Sequence, residues 1–333
     1  MTDTSARTRG RRVLVTHDRL AESAIELLNA HDVDVFFSPA YAPSEQVAAR
    51  AADLQVDALI VRQGRVDATI IAASPRLKVI AKHGVGVDNI DLQAAASRSV
   101  PVIRAMGSNS RAVAEHTIAL ALTLLKDIPR LDTAVKAGTW PKPSFIGRDI
   151  AGTVIGLVGF GSIGQHVARM ARGLGMTVLL HDPHAREAIA QFGADRERDL
   201  DSLVAEADIV SLHCPLTNAT RDLLDARRFG LMKPTSLVVN TARGALINEP
   251  ALCAALLEGR IAGAGLDSFA VEPPAPDSPL WLLPNLIATP HIAGVTAGSA
   301  KTMAEIAARH VIAVLDGEEP DAASLARLAE LAA

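Results

Sequence analysis

Three side chains in the second half of the chain have the types needed for acid–base and anion chemistry. Arg243 follows the run Leu237-Val238-Val239-Asn240-Thr241-Ala242. Glu272 lies in Asp267-Ser268-Phe269-Ala270-Val271-Glu272-Pro273-Pro274, and His291 in Ile287-Ala288-Thr289-Pro290-His291. Each stands just beyond a short run of β type, where open α/β sheets bind their ligands. A histidine can move a proton near neutral pH. A neighbouring carboxylate favours its charged form and holds the ring in place. An arginine can grip a carboxylate with two prongs and polarise an adjacent carbonyl. Taken singly, each also has a plainer reading: Arg243 as a loop charge, Glu272 as a surface acid, His291 as a helix-cap partner.

A second group concerns phosphates. Val154-Ile155-Gly156-Leu157-Val158-Gly159-Phe160-Gly161-Ser162-Ile163-Gly164 carries G-x-G-x-x-G at Gly159, Gly161 and Gly164. An apolar strand precedes it and a helical pattern, 165–172, follows. Gly159 permits a tight turn, Gly161 lets a pyrophosphate approach the backbone, and Gly164 allows close helix–strand packing. The helix N-terminus then offers free N–H groups to the phosphates. Asp182 follows about 20 residues on, where an acid accepts the ribose hydroxyls of NAD. The same acid would repel a 2′-phosphate, so NAD is favoured over NADP, although His184 and Arg186 leave NADP open. With a dinucleotide present, Arg243, Glu272 and His291 supply the three roles that hydride transfer to a 2-keto acid requires.

Two features of the first third fit a small anion. His83-Gly84-Val85-Gly86-Val87-Asp88 follows a strand, and its backbone N–H groups suit a carboxylate. An ordinary βα turn explains the same glycines equally well. Arg62, at the end of Ala58–Val61, is placed to meet an anion or to lie solvated at the sheet edge.

The elements that must position these residues alternate. Strands are expected at Val13–Thr16, Val33–Phe37, Ala58–Val61, Lys78–Ala81 and Val100–Ile103, with helices at Ala21–Asn29, Ser44–Ala52 (Ser44 as N-cap), Asp67–Ala73 and Leu92–Arg98. Ser110–Leu131 reads as the longest helix, and Gly138–Gly152 as irregular. A second series of strands follows at Thr153–Val158, Met176–His181, Ile209–Leu212, Leu237–Asn240, Gly263–Asp267 and Leu286–Thr289. Ala300–Leu315 is a final helix. The βα repetition implies parallel sheets covered on both faces.

Composition narrows the class. The 333 residues are 49% hydrophobic and 21% charged, so an ordinary globular protein of about two domains is expected. Only 7 Phe, 2 Trp and 1 Tyr are present, too few for base-stacking platforms. Lys+Arg 33 against Asp+Glu 37 gives a net charge of −4, which offers no basic field to nucleic acid or an anionic membrane. No apolar run reaches the ~20 residues of a membrane span. The polar, Arg-rich start lacks the apolar stretch of a secretory leader. Cys214 and Cys253 allow no disulfide framework and no zinc pair. A cytoplasmic protein with reduced thiols and no metal is expected.

The motifs in their order resemble the D-isomer-specific 2-hydroxyacid dehydrogenases, and most closely phosphoglycerate dehydrogenase-like members without the C-terminal regulatory domain. The similarity runs from about Ala58 to His310: HGVGVDNID at 83–91, SNSRAVAEHT at 108–117, GLVGFGSIG, HDP at 181–183, HCPLT at 213–217, NTARG at 240–244, GLDSFAVEPP at 265–274 and TPHIAG at 289–294. The resemblance implies Arg243, Glu272 and His291 as the catalytic set. It implies Ser162, Ile163 and Asp182 at the pyrophosphate and ribose, and Cys214 and Pro215 at the adenosine. Thr117, Thr241, Ala242, Asp267, His291 and Gly294 would surround the nicotinamide. Val85 and Gly86 would take the substrate carboxylate, with Arg243 and His291, and Arg62 a phosphate. Gln63-Gly64-Arg65 departs from the small hydroxyl residues of phosphoglycerate enzymes, and Ser162 replaces an arginine frequent in the family. A hydroxypyruvate or glyoxylate reductase is therefore an alternative, and a non-catalytic NAD(H)-sensing protein a remote one.

The resemblance also implies architecture. A Rossmann NAD-binding domain, 109–295, would be inserted in a flavodoxin-like substrate domain, 1–108 and 296–333. Both lobes would be doubly wound parallel sheets. A helix and arm at 111–153 would join a homodimer, with Leu120, Leu122, Leu124, Leu125 and Trp140 as its apolar surface.

Overall fold

The computed structural model describes residues 10–193 and 198–328. They form two compact units, residues 10–109 with 296–328, and residues 110–193 with 198–295. The first holds strands β1 (Arg11–Val15), β2 (Val33–Phe37), β3 (Ala58–Val61), β4 (Val79–Lys82) and β5 (Val102–Arg104). Between them run helices α1 (Glu22–Ala30), α2 (Ser44–Leu54), α3 (Ala68–Ala73) and α4 (Leu92–Ser97). All pairings are parallel, in the order β2-β1-β3-β4-β5. Strand residues alternate between two cores. Leu14, Leu59, Val61, Ile80 and Val102 meet α2–α4, whereas Val13, Val15, Ile60, Val79 and Ile103 meet α1 and the late helix Ala297–Leu315. Both faces are apolar because both are covered.

The second unit opens with α5 (Ser110–Leu125) and α6 (Ile128–Lys136). It continues β6 (Val154–Val158), α7 (Ser162–Gly173), β7 (Thr177–His181), α8 (Arg186–Gly193), α9 (Leu200–Glu206), β8 (Ile209–Leu212), α10 (Ala226–Phe229), β9 (Leu237–Asn240), α11 (Glu249–Leu257), β10 (Gly263–Leu266) and β11 (Leu286–Ala288). Its described strands are parallel in the order β11-β10-β9-β8-β6-β7. The chain turns outward from β6 to β7 and then back to β8, which opens a crevice at the carboxyl ends of β6 and β8. α5 and α7 cover one face of this sheet, and α9 and α11 the other.

Three expectations are corrected. Ser110–Leu131 is two helices, because Asp127 turns left-handed (φ 52°) and Pro129 opens α6; a proline suits a first turn and breaks an interior. Ser44 does not cap α2. Pro43 holds that position, and the Ser44 hydroxyl donates to Asp67 Oδ2 at 2.5 Å. Leu120 and Leu125 are no partner surface: both are buried within their own unit, and Leu120 and Leu124 lie against Gly265 of β10. Trp140, of the same expected set, is exposed, and so are the large apolar side chains of Ile128, Val135 and Ile146.

Candidate active site

The turn after β6 is built on missing β-carbons. Gly159 has φ 98°, and a β-carbon there would lie 2.6 Å from Cys214 N, which follows β8. One on Gly164 would lie 2.3 Å from the Gly159 carbonyl oxygen. Around Gly161, in contrast, a β-carbon would meet nothing within 4 Å, and no side chain caps α7 there. Ser162, Ile163 and Gly164 thus present helix-start N–H groups on an open side, which fits a pyrophosphate. Asp182 accepts from Phe160 N at 2.7 Å and from His184 N at 2.8 Å. A carboxylate has about four acceptor sites, so two remain for ribose hydroxyls. Cys214 borders this turn, and Pro215 is the next residue in the chain. Burial first, and then the charge of Asp182, push the Cys214 thiol up to about 12, so it is no nucleophile at neutral pH.

Arg243, Glu272 and His291 follow β9, β10 and β11. His291 Nδ1 is 2.7 Å from Glu272 Oε2, while Glu272 Oε1 accepts from Phe269 N at 3.0 Å. Burial works to raise the Glu272 carboxyl. The His291 hydrogen bond, the Phe269 N–H and the charges of His291 and Arg243 outweigh it and hold the carboxyl below its ordinary value. Glu272 is therefore a charged acceptor at neutral pH. With Nδ1 engaged, Nε2 is the ring nitrogen left to exchange a proton. Arg243 Nη1 donates to the Ala242 carbonyl at 2.8 Å. The structure thus brings the three predicted residues into one electrostatic group.

Their turns are locked by residues that motif reading passed over. Asn240, fully buried, clamps the Arg243 turn from both ends: its Nδ2 donates to Arg243 O at 2.8 Å and its Oδ1 accepts from Ala242 N at 3.0 Å. Gly244 packs so tightly that a β-carbon would fall 1.9 Å from Phe269 C. Glu249 Oε1 accepts from Ala270 N at 2.6 Å, tying α11 to the Glu272 turn. Thr117 and Thr241, both predicted, meet hydroxyl to hydroxyl at 2.8 Å.

His291 has φ 54°, a left-handed conformation that costs a non-glycine residue about 1–3 kcal/mol. Its N–H donates to Thr289 O at 3.0 Å. Asp267, 1% exposed, accepts from Thr289 Oγ1 at 2.6 Å, Ile292 N at 2.9 Å and Ala293 N at 2.7 Å. His116, absent from the predicted set, reaches the Thr289 hydroxyl with Nε2 at 3.0 Å. The signal that could have found it was its place one residue before Thr117. Gly294 lies next in this loop.

Arg62, Val85 and Gly86 belong to the first unit. Arg62 N donates to the Thr16 hydroxyl at 3.1 Å, which fixes Arg62 where β1 and β3 end side by side. Its Nη1 donates to the Arg19 carbonyl. Burial and the nearby Arg19 both lower its pKa, but a guanidinium stays charged. The glycine turn at 83–87 follows β4. His83 there is driven down to about 4 by burial and then by Arg62, and its Nε2 lies 3.2 Å from Ala300 O. Among the described residues no metal-binding cluster occurs, and no helix is long and apolar enough to cross a membrane.

The family model for the D-isomer specific 2-hydroxyacid dehydrogenase NAD binding domain matches residues 118–293. A D-3-phosphoglycerate dehydrogenase from Archaeoglobus fulgidus is 37% identical over 308 residues, 92% of this chain and 58% of that protein. The chain spans about half the length of the curated relatives it matches. The crystal structure of the TT0316 protein from Thermus thermophilus superposes with TM-score 0.83 at 36% identity, covering 95% of this chain and 100% of that one. A glyoxylate reductase from Paecilomyes thermophila gives TM-score 0.80 at 29% identity, over 92% of this chain and 96% of that one. By this match and these relatives, the chain belongs to the D-isomer-specific 2-hydroxyacid dehydrogenase family.

Proposed function

We propose that the protein is an NAD-dependent oxidoreductase that interconverts a small D-2-hydroxy acid and its 2-keto acid, in the manner of phosphoglycerate dehydrogenases. The carrying observation is the 2.7 Å contact of His291 with a charged Glu272, under the influence of Arg243. In the reducing direction His291 gives its Nε2 proton to the carbonyl oxygen. Glu272 stabilises the charged imidazole and fixes the ring. Arg243 holds the carboxylate and polarises the carbonyl. A bound nicotinamide supplies the hydride. Ser162, Ile163 and Gly164 hold the pyrophosphate, and Asp182 holds the ribose and favours NAD over NADP. Cys214 and Pro215 border the adenosine. Thr117, Thr241, Ala242 and Gly294 border the nicotinamide. In the first unit, which we read as the substrate domain, the N–H groups of Val85 and Gly86 take a carboxylate and Arg62 a further anion.

The test is NADH oxidation with a panel of 2-keto acids by wild type and His291→Ala. Loss of turnover in the variant supports the reading, and equal turnover overturns it. A hydroxypyruvate or glyoxylate reductase is the second reading. Gln63-Gly64-Arg65 beside Arg62 and the likeness to a glyoxylate reductase favour it. Arg62→Ala separates the two: selective loss of affinity for phosphorylated acids supports phosphate recognition, and equal loss for all acids contradicts it. Exposed Trp140 and Ile146, with Ile128 and Val135, offer an apolar surface on which a second copy would form a homodimer.

A further inference from the structure

We propose that Asp267, Thr289 and His116 are positioning residues for His291, acting as one hydrogen-bonded unit that holds its loop in the left-handed turn. The inference rests on His291 being the proton donor, and it assigns these side chains to the loop. The polarity of the chain of bonds follows from the donors available. Asp267 is buried and is a partner to donors only, so the Thr289 hydroxyl gives its one proton to Oδ1 at 2.6 Å. That hydroxyl must then accept, and His116 Nε2 at 3.0 Å is the donor. On its other side Asp267 receives two successive main-chain N–H groups, Ile292 at 2.9 Å and Ala293 at 2.7 Å. Successive N–H groups beside a left-handed residue form a concavity that holds an anion. Here the anion is the protein's own carboxylate.

This unit explains how His291 keeps φ 54°. A sparsely populated conformation persists only where its surroundings over-determine it. The two residues after His291 are bound to Asp267. The residue two before it binds Asp267 by its side chain and His291 N by its carbonyl. The imidazole is thereby aimed at Glu272. Three donors already occupy Asp267, which leaves about one acceptor site for any ligand.

The test compares Thr289→Val, which keeps the shape and removes the hydroxyl, with Thr289→Ser, which keeps the hydroxyl. The Val variant is expected to lose kcat by about 10- to 100-fold through misplacement of His291, with the dissociation constant for NADH unchanged. Its kcat/KM profile should lose its acid side at higher pH, because Glu272 is no longer held down by the His291 contact. The Ser variant should restore both. His116→Leu should show the same pattern more weakly and His116→Gln should restore it, which decides the matter if Thr289→Val does not fold. A crystal structure of either impaired variant should show His291 turned away from Glu272. An unmoved His291–Glu272 contact, or loss of NADH binding in proportion to rate with the acid side unmoved, overturns the proposal. Absence of turnover in the wild type would instead count against the oxidoreductase reading, and the crystallographic arm would still judge this one.

Discussion

Gly244 packs against the main chain of Phe269, so that a β-carbon on Gly244 would lie 1.9 Å from the Phe269 carbonyl carbon. The turn that carries Arg243 is thus pressed against the turn that carries Glu272, with no room for a methyl group. Main chain cannot rotate aside as a flexible side chain can. Gly244→Ala should therefore separate the two turns and lower kcat/KM by about 100-fold, since a shift near 1 Å has that effect on a catalytic constellation. Steady-state kinetics beside a thermal unfolding curve would check it, and full activity would refute the packing argument.

The Glu272–His291 contact carries a pH signature. The Glu272 carboxyl is held below its ordinary value, so its pairing contributes stability that is fully present above that value. This contribution is lost as pH falls through the depressed folded value. Glu272→Gln should be less stable than wild type near neutrality, and the difference should shrink in acid. Urea unfolding across the acid range measures it. The same variant should lose keto-acid reduction by about 100-fold or more, because the imidazole loses its counter-charge and keeps only a neutral acceptor.

His83 adds a linkage to acid of the same sign, by a different cause. Burial, then Arg62, lowers it from 6.5 to about 4 in the fold. Between those two values the unfolded chain binds the extra proton and the folded one does not, so stability falls as pH drops through that window and levels off below it. His83→Gln should flatten part of this slope. Chemical denaturation at a series of pH values would detect the change, and an unchanged slope would contradict it.

On the function proposed above, Asp182 would link cofactor choice to the glycine turn. It holds Phe160 N while keeping acceptor sites for ribose hydroxyls. Asp182→Ala should raise KM for NADH by about 10-fold or more and narrow the ratio of NADH to NADPH efficiency, because a charge-assisted hydrogen bond contributes about 1.5–3 kcal/mol. Paired kinetics with the two cofactors decide the point.

Cys214 should resist alkylation. With its thiol raised to about 12, almost no thiolate exists near pH 8. Iodoacetamide labelling followed by mass spectrometry should leave it unmodified in the folded protein and modify it after denaturation.

The sequence alone determined the alternation of strands and helices, the glycine turn after β6, and the identities of Arg243, Glu272 and His291. These are local matters. Apolar runs flanked by turn residues read as strands, and glycines at set intervals permit only certain turns. Pro129 was equally local, yet the apolar pattern through Leu131 masked the break it imposes. The short helices α8 to α11 are not legible in the sequence, because four to nine residues with weak periodicity carry little signal. Leu120 and Leu125 looked like a partner surface because hydrophobicity does not say which neighbour covers a face. Only tertiary structure decided that glycines in β10 draw α5 onto their own sheet. It alone brought His116 to Thr289, 173 residues away along the chain, and wrapped the His291 loop around Asp267. No motif spacing encodes such bonds, since they depend on where the ends of separate strands meet.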